Sequence, residues 1–288
     1  MSQILDGKAV GRAVKAKVKE EAVRLKMKGV TPKLVILRVG DSKASMAYEK
    51  AAMKVMKSVE IEVETRTLKE ESSTAEVLAA IDDLNNDPNV HGVIMMQPLP
   101  QHISRKDVSS RLDPRKDVDA LNPINLGLLM EGDPKAMAPS TAQAVMEILD
   151  YYAYDLKGAD VCVIGSSPVV GKPLVNMLLN RFATVSNCHI YTKDNRLYST
   201  KADIVISATG ALGLVGADYI KEGATVIDVG YGFKDGVACG DVRYDEVAPK
   251  AGAITPVPGG VGSVTTAVLA VHTIKAVKLL YPELEEEK

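Results

Sequence analysis

The stretch that decides the fold reads Val161-Cys162-Val163-Ile164-Gly165, followed by Ser166-Ser167-Pro168-Val169-Val170-Gly171. A short apolar, β-branched run that ends in glycine predicts a buried strand and a tight turn, and a helical pattern follows. Glycine at such a turn lets the backbone approach a pyrophosphate, while the helix start offers it N–H groups. Only the two outer glycines of the usual G-x-G-x-x-G fingerprint are present, so a tight turn without a ligand stays open as an alternative.

Two later predicted strands also end in small residues. They read Ala208-Thr209-Gly210 and Asp228-Val229-Gly230. The carboxyl ends of parallel strands meet at one edge of the sheet, where doubly wound proteins bind ligands, although a glycine there can also serve only a turn. We therefore predict a dinucleotide site at this edge. Its predicted cofactor-binding residues are Gly165, Ser166, Ser167, Val170, Gly171, Ala208, Thr209, Gly210, Asp228 and Gly230.

Short β-branched runs alternate with helical patterns along the chain, which is typical of a parallel α/β fold. Strands are predicted at residues 34–37, 61–67, 93–96, 161–164, 185–191, 204–208 and 224–229. Helices are predicted at residues 10–22, 44–57, 74–84, 140–152 and 265–281. The length of 288 residues exceeds one comfortable core, so one large domain or two ordinary ones are expected.

The composition excludes several classes of protein. A net charge of −2 and only 4% aromatic residues leave no basic field or stacking platform, so neither nucleic acid nor membrane is predicted as a partner. The three cysteines, Cys162, Cys188 and Cys239, lack paired spacing. We therefore expect no disulfide framework and no metal site. The polar start and the absence of an apolar run of about 18 residues complete the expectation of a cytoplasmic protein.

Four motifs, in order along the chain, carry a family resemblance. They read Gly40-Asp41-x-x-x-Ser45-x-x-Tyr48, Lys116-Asp117-Val118-Asp119, Gly165-x-Ser167-x-x-Val170-Gly171-x-Pro173 and Pro256-Val257-Pro258-Gly259-Gly260-Val261-Gly262. Together they resemble the methylenetetrahydrofolate dehydrogenase/cyclohydrolase family, and the Pro-Gly-Gly-Val-Gly stretch is the most specific. A two-domain relative of shikimate dehydrogenase is an alternative, but it would need a lysine–aspartate pair that this chain does not show at a convincing place.

The resemblance implies a fold and a reaction. Residues 1–140, completed by a C-terminal helix at 265–288, would form an α/β folate-side domain, and residues 141–264 a Rossmann domain, with the active site in a cleft between them. A hydride would pass from 5,10-methylenetetrahydrofolate to NADP or NAD. In bifunctional members, water then converts the methenyl product to 10-formyltetrahydrofolate. A homodimer through the Rossmann domains is also implied.

The resemblance also implies roles for individual residues. Tyr48 would border the reacting centre, and Asp119 would pair with the pteridine donors, although packing and turn formation are their common uses elsewhere. The folate-contacting residues would be Tyr48, Gln97, Pro98, Leu99, Asp119, Pro258, Gly259 and Gly260. Near the cofactor, Ile190 stands where family members that use NADP carry a group for the 2′-phosphate. Because isoleucine cannot pair with a phosphate, while Lys193 and Arg196 follow closely, we expect weak discrimination with NAD usable.

The sequence departs from the family at the proton-handling position. The family places a lysine four residues after the tyrosine, on the same helix face, whereas this chain has Ala52. Met96 stands where the family has the glutamine that holds this lysine, and Gln97 follows one residue later. We therefore predict a dehydrogenase whose cyclohydrolase activity is weak or lost. The alternatives are a bifunctional enzyme with Lys54 as the catalytic substitute, and a non-catalytic binding relative.

Overall fold

The structure is a computed structural model that describes residues 2–285, apart from the side chains of residues 43, 44 and 285. Its strands are β1 (Gln3–Ile4), β2 (Lys33–Val39), β3 (Glu62–Leu68), β4 (Gly92–Met95), β5 (Asp160–Ile164), β6 (Thr184–Cys188), β7 (Ile204–Ser207), β8 (Thr225–Asp228), β9 (Gly232–Lys234), β10 (Val237–Cys239) and β11 (Ala253–Ile254). Its α-helices are α1 (Gly7–Met27), α2 (Lys43–Ser58), α3 (Thr74–Asn86), α4 (Arg105–Arg111), α5 (Pro123–Glu131), α6 (Ser140–Tyr151), α7 (Gly171–Leu179), α8 (Arg196–Ser199), α9 (Tyr244–Val247) and α10 (Thr265–Leu280). Short 3₁₀ helices lie at Ala217–Tyr219, Val261–Ser263 and Pro282–Glu285.

Residues 13–140 and 266–285 form one compact unit, which we call the three-stranded unit. Its parallel sheet has the order β3-β2-β4. The apolar side chains of β2, including Val35 and Leu37, pack with Val77 and Ile81 of α3 in one buried cluster. Ser73 begins α3 with a capping box, because its hydroxyl and the Glu76 carboxylate each accept a backbone N–H of the other residue.

Residues 2–12 and 141–265 form a second compact unit, the six-stranded unit. Its parallel sheet has the order β1-β11-β8-β7-β5-β6. The chain leaves β5 for β6 on one side and then continues to β7 on the other side. The adjacent ends of β5 and β7 are therefore the topological switch point, where doubly wound folds bind ligands. The Rossmann-type α/β fold predicted from the sequence is confirmed by this topology.

The structure differs from the sequence prediction at three chain segments. Residues 1–12 were placed with the first domain, but β1 joins the six-stranded sheet beside β11. The strand predicted at 185–191 ends at Cys188, because Thr192 donates its N–H to the His189 carbonyl (2.8 Å) and closes a turn. The last helix ends at Leu280, one residue before the end predicted from the pattern but short of the bound at 288 that the resemblance implies, and residues 286–288 lie outside the described part.

Between residues 2 and 285, no helix has both the length and the apolar character that crossing a bilayer requires. Over the same residues, no group of three or more His, Cys, Asp or Glu side chains is placed to hold a metal ion. The three cysteines are free thiols, and two of them, Cys162 and Cys188, are buried.

Candidate active site

The loop between β5 and α7 lies directly against the end of β7. Gly165 has φ +124°, and a Cβ there would lie 2.2 Å from the carbonyl oxygen of Ala208. At Gly171, a Cβ would lie 2.1 Å from the carbonyl oxygen of Gly165. Both positions therefore require glycine. Gly165 lets the loop backbone contact the backbone after β7, and Gly171 lets the start of α7 contact the loop backbone.

The N–H groups of this loop are arranged differently from the sequence expectation. The first turn of α7 offers little to a ligand, because Lys172 donates its N–H to the Ser167 carbonyl (3.0 Å) and Pro173 has none. The Ser167 hydroxyl accepts the N–H of Val170 (3.1 Å). Within the described chain, the N–H groups of Ser166, Ser167 and Val169 have no acceptor. The loop ahead of the helix, rather than the helix itself, thus presents the donors for a phosphate.

The segment after β7 is held by a buried carboxylate that the sequence analysis missed. Asp241 is fully buried and accepts hydrogen bonds from the Ser207 hydroxyl (3.0 Å), the Thr209 N–H (2.7 Å) and the Gly210 N–H (3.3 Å). Thr209 and Gly210, predicted to bind the cofactor, therefore have these N–H groups directed at Asp241. The signal available in the sequence was an aspartate after a glycine, Gly240-Asp241, at the end of a short strand.

Asp228, also predicted to bind the cofactor, is a buried supporting residue. Its carboxylate accepts the N–H groups of Gly230 (2.9 Å), Asp241 (3.0 Å) and Val242 (3.0 Å). Burial raises the pKa of Asp228 to about 6 and the neighbouring Asp241 raises it too, whereas the three N–H donors lower it. The carboxylate therefore fixes the backbone around the site, and its side chain is only 3% exposed.

A pocket of about 300 Å³ lies beside Asp228, lined by residues 228–231 and 256–263. It brings the predicted cofactor residues Asp228 and Gly230 together with the predicted folate residues Pro258, Gly259 and Gly260. The start of α1 supports this loop, since a Cβ at Gly7 would lie 2.0 Å from the Gly260 carbonyl oxygen. The Pro-Gly-Gly segment is thus a wall of a pocket, not only a turn before the last helix.

Ile190 lies in the turn after β6 and is 89% exposed. Of the two nearby cations, Arg196 is already paired with Asp194 (2.9 Å) and with Asp218 (3.2 Å). Lys193 is exposed and has no carboxylate within 4.0 Å among the described residues. Lys193 is therefore the more available cation for a 2′-phosphate.

In the three-stranded unit, Asp119 lies near Tyr48 and is held by Ser140. The Ser140 hydroxyl and N–H both donate to Oδ1 of Asp119, at 2.6 and 3.0 Å. No donor contacts Oδ2 within the described chain. Burial raises the pKa of Asp119, and the Ser140 hydrogen bonds oppose that shift. Burial, and secondly the Asp119 charge, raise the pKa of Tyr48, so this phenol is neutral near pH 7.

The other charged residues of the Lys116-Asp117-Val118-Asp119 motif are structural. The buried Lys116 ammonium donates to three carbonyls at the end of α3: Leu84 (3.0 Å), Asn85 (2.9 Å) and Asp87 (2.8 Å). Asp117 accepts the Asn122 N–H (2.7 Å) at the start of α5. Asp119 is thus the motif's acidic residue with an oxygen open to a ligand.

The side chains near position 52, where the resemblance predicts a lysine, differ in how far they are buried. Ala52 is fully buried and Met96 is 7% exposed. Lys54 is exposed, and no described residue bonds to its ammonium. Gln97 and Pro98 are exposed, whereas Leu99 packs partly against the apolar core. The structure therefore brings Tyr48 and Asp119 together and shows no contact of Lys54 with either.

An ion pair beside Tyr48 was also missed from the sequence. Arg38, 8% exposed on β2, donates to Glu49 (2.9 Å) and also bonds Asp41 and the Gly40 carbonyl. Thr65 of β3 donates to the other Glu49 oxygen (2.9 Å). These bonds fix α2 on the sheet one residue from Tyr48. The signal was an arginine inside the otherwise apolar run of β2.

The parallel sheet, its switch point and the glycine-supported loop with free N–H groups define a Rossmann-type dinucleotide-binding protein. Family models make the assignment specific. Residues 5–119 match the catalytic domain of tetrahydrofolate dehydrogenase/cyclohydrolase, and residues 139–281 match its NAD(P)-binding domain. The chain belongs to the tetrahydrofolate dehydrogenase/cyclohydrolase family, which confirms the resemblance and sets the shikimate dehydrogenase alternative aside.

Individual relatives agree with this membership. The bifunctional protein FolD of Alkaliphilus metalliredigens is 43% identical over 279 residues, covering 96% of this chain and 98% of that protein. The crystal structure of FolD from Campylobacter jejuni has a TM-score of 0.94 at 42% identity, covering 97% of this chain and 99% of that one. A 5,10-methylenetetrahydrofolate dehydrogenase from the silkworm, Bombyx mori, has a TM-score of 0.91 at 37% identity, with coverage of 97% and 99%.

Proposed function

We propose that this protein oxidises 5,10-methylenetetrahydrofolate to 5,10-methenyltetrahydrofolate with NAD or NADP, and that its cyclohydrolase activity is weak or absent. The observation that carries the proposal is Asp119, which Ser140 holds by one carboxylate oxygen only and whose charge acts on the half-buried Tyr48, in a member of this family. Ser140 occupies one carboxylate oxygen and leaves the other for a ligand. The proposed catalytic and folate-binding roles of these residues rest on that geometry.

The carboxylate edge of Asp119 suits the pteridine ring. The open Oδ2 faces no competing donor in the described chain, so amino and ring N–H groups of the substrate can bind it with charge-assisted hydrogen bonds. Tyr48 contributes a neutral phenol and an aromatic surface beside this anchor. Positioning of this kind is the main requirement of hydride transfer.

The residues around Gly165 fit a dinucleotide. The free N–H groups of Ser166, Ser167 and Val169 would hold the pyrophosphate, and Gly165 and Gly171 permit its close approach. The pocket walled by residues 256–263 would take the nicotinamide end. When bound, NAD or NADP supplies the hydride acceptor. We assign to the same site the predicted roles of Val170, Ile190, Ala208, Thr209 and Gly210, with Asp228 and Gly230 supporting it.

Three positions support the proposed loss of hydrolysis. Water attack on the methenyl product needs a group that takes and returns a proton near neutral pH. A lysine does so when burial or a nearby cation favours its neutral form. Ala52 has no proton to give, Met96 offers only a thioether, and Lys54 is exposed without a contact to Tyr48 or Asp119.

One assay separates this proposal from its alternatives. Purified protein is given 5,10-methylenetetrahydrofolate with NAD or NADP, and both the reduced nicotinamide and the methenyl product are followed by absorbance. We expect dinucleotide reduction with accumulation of methenyl product. Reduction without accumulation would identify a bifunctional enzyme. No reduction with either dinucleotide would identify a non-catalytic relative.

We further propose that residues 141–264 bind the dinucleotide and that residues 13–140 with the last helix bind the folate. We also propose that the chain forms a cytoplasmic homodimer. β6 supports the dimer, since it ends the order of the six-stranded sheet and has the exposed side chains of Phe182 (74%) and Tyr191 (85%) on either side of it. Sedimentation of wild type and of Phe182→Asp tests it. A monomeric wild type would exclude the dimer.

A further inference from the structure

A groove of about 580 Å³ on the three-stranded unit lies apart from the residues assigned above. We call it the α10 groove and define it by Leu128, Leu279, Arg115, Lys135, Lys275 and Lys278. Its volume is that of a small-molecule site, which typically spans roughly 300–1,000 Å³. Leu128, Leu279 and three prolines make most of its lining apolar, with rigid backbone at its edges.

The charge of the α10 groove has one sign. Its described lining contains four cationic side chains and no carboxylate. Arg115 is paired outside the lining with Asp113 (2.6 Å), and Lys278 with Glu21 (3.3 Å). An apolar floor with a cationic rim is complementary to a molecule that has an apolar body and an anionic end.

Lys275 is the cation that most needs such a partner. Its ammonium is partly buried and donates to the Ala136 carbonyl at 2.6 Å, but no carboxylate of the described chain lies within 4.0 Å of it. Burial lowers the pKa of Lys275, and the charge of Asp133 opposes this. A carboxylate or phosphate bound in the groove would supply the missing counter-charge in a partly desolvated place, where ion pairs are stronger than in water.

The groove shares its walls with the segment that holds Asp119. Asn125, on the lining, donates to the Pro114 carbonyl (2.9 Å) and to Asp117 (3.2 Å), two residues before Asp119. Its side-chain oxygen accepts the Met137 N–H (3.2 Å), three residues before Ser140. Lys275 holds the neighbouring Ala136 carbonyl. An anion that draws the Lys275 ammonium away from Ala136 would loosen the segment that ends in Ser140.

We propose that the α10 groove binds a small amphipathic organic anion, an apolar ring or chain with one carboxylate or phosphate, and that its occupancy weakens folate binding at Asp119. The second part rests on the proposed role of Asp119, while the first part does not. Coupling between two sites is reciprocal in binding free energy, so bound folate would weaken binding in the groove to the same extent.

Calorimetry without substrate tests the binding. The probes are 4-phenylbutyrate and 4-phenylbutyl phosphate, with neutral 4-phenylbutanol as their isostere. We expect one saturable site, at least roughly tenfold tighter for an anion than for the alcohol, which corresponds to ~1.4 kcal/mol, and weaker at high salt. The tighter of the two anions identifies the carboxylate or the phosphate class. Equal binding of the alcohol, or no saturable binding, overturns the proposal.

Variants locate the site. Lys275→Met should weaken anion binding at least roughly tenfold and leave alcohol binding unchanged. Leu128→Glu should also abolish anion binding while retaining the Lys275–Ala136 bond, so a folding defect in one variant does not decide the result. Lys57→Met, an exposed lysine of the same unit, is the matched control. An equal loss in Lys57→Met, or none in both groove variants, rejects this site.

The coupling is measured by tetrahydrofolate binding, which needs no turnover. A saturating anion should weaken tetrahydrofolate binding at least about threefold, a modest coupling for two linked sites, and Lys275→Met should remove that effect. Unchanged or tighter binding overturns the coupling. Because these readouts do not use catalysis, an inactive enzyme would contradict the proposed function without deciding the groove.

Discussion

Ser140 donates two hydrogen bonds to the same carboxylate oxygen of Asp119, at 2.6 Å from its hydroxyl and 3.0 Å from its backbone N–H. This arrangement leaves Oδ2 without a donor among the described residues, and it favours the charged form of a carboxyl whose pKa burial raises. The Ser140 hydroxyl strengthens this anchor more than a thiol would, since a hydroxyl donates a better hydrogen bond than a thiol.

Ser140→Ala should weaken folate binding. Losing a hydrogen bond to a charged group costs about 1.5–3 kcal/mol, so the KM for 5,10-methylenetetrahydrofolate should rise roughly tenfold or more while kcat changes little. The pKa of Asp119 should also rise, so the KM difference should grow as pH falls. Steady-state kinetics between mildly acidic and mildly basic pH measure both effects. Ser140→Cys is the control, and its KM should lie between those of wild type and Ser140→Ala. A wild-type KM in Ser140→Ala at every pH would contradict this role.

Asp241→Ala should impair the dinucleotide site. It removes the acceptor of the Thr209 and Gly210 N–H groups and of the buried Ser207 hydroxyl, and leaving a buried donor unpaired costs about 1–3 kcal/mol. We expect the dinucleotide KM to rise about tenfold. Asp241→Asn is the matched control, because its amide oxygen can keep these donors while its nitrogen replaces an oxygen that has no partner in the described chain. Similar effects of both variants would show that charge, not hydrogen bonding, matters.

Asp228 should give the protein a pH-dependent stability. Its pKa of about 6 lies above the unfolded value of 3.8, so the native state binds the proton more tightly and stability falls as pH rises through this window. Between pH ~5 and pH ~7.5 this loss amounts to about 1 kcal/mol. Urea unfolding at these two pH values should show a smaller loss in Asp228→Asn than in wild type. Asp117, whose pKa is also raised to about 6, is present in both proteins, so the difference between them reports Asp228. An unchanged pH dependence would place the Asp228 pKa near its ordinary value.

Selectivity between the dinucleotides should be weak. Ile190 cannot bind a phosphate, Arg196 is paired with two aspartates, and Lys193 remains for the 2′-phosphate. The ratio of kcat/KM for NADP over NAD should stay below about a hundredfold, or nearly 3 kcal/mol. Lys193→Ala should lower it toward NAD and Ile190→Arg should raise it. A wild-type preference above a hundredfold for NADP would mean that another phosphate partner exists.

Local patterns predicted most of the long elements. Seven strands and five helices were placed within a few residues, because apolar periodicity and caps such as Ser73 act locally. The sequence missed β1 and β11, which have only two residues each and exist through their pairing with one another and with β8. It also missed α5, although Asn122, Pro123 and the left-handed Gly132 bound that helix with ordinary cap signals.

Site residues that belong to a contiguous motif could be predicted from the sequence. Site residues whose role depends on being buried against distant partners could not. The glycines of the β5–α7 loop and the Pro-Gly-Gly stretch were found from sequence. Asp241 was missed because its partners, Ser207 and Thr209, lie more than thirty residues earlier in the chain. The apolar periodicity also does not predict that Arg38 is buried and forms an ion pair with Glu49. The roles proposed for Tyr48, Asp119 and the other site residues stay predictions until variants are measured.

The cyclohydrolase prediction depends on Ala52 and Met96, both buried in the three-stranded unit. Wild type supplied with methenyltetrahydrofolate should hydrolyse it little above the spontaneous rate, since loss of a positioned acid–base group typically costs about 10²–10⁴ in rate. Lys54→Ala should change neither activity, because Lys54 is exposed and bonds to no described residue. Ala52→Lys with Met96→Gln should raise hydrolysis, as burial would favour the neutral form of the new lysine and the amide would hold it. Ala52→Met with Met96→Gln is the control for side-chain bulk and should stay inactive. Absorbance of the methenyl group measures all four proteins, and a family-typical rate in wild type that Lys54→Ala removed would make Lys54 the substitute after all.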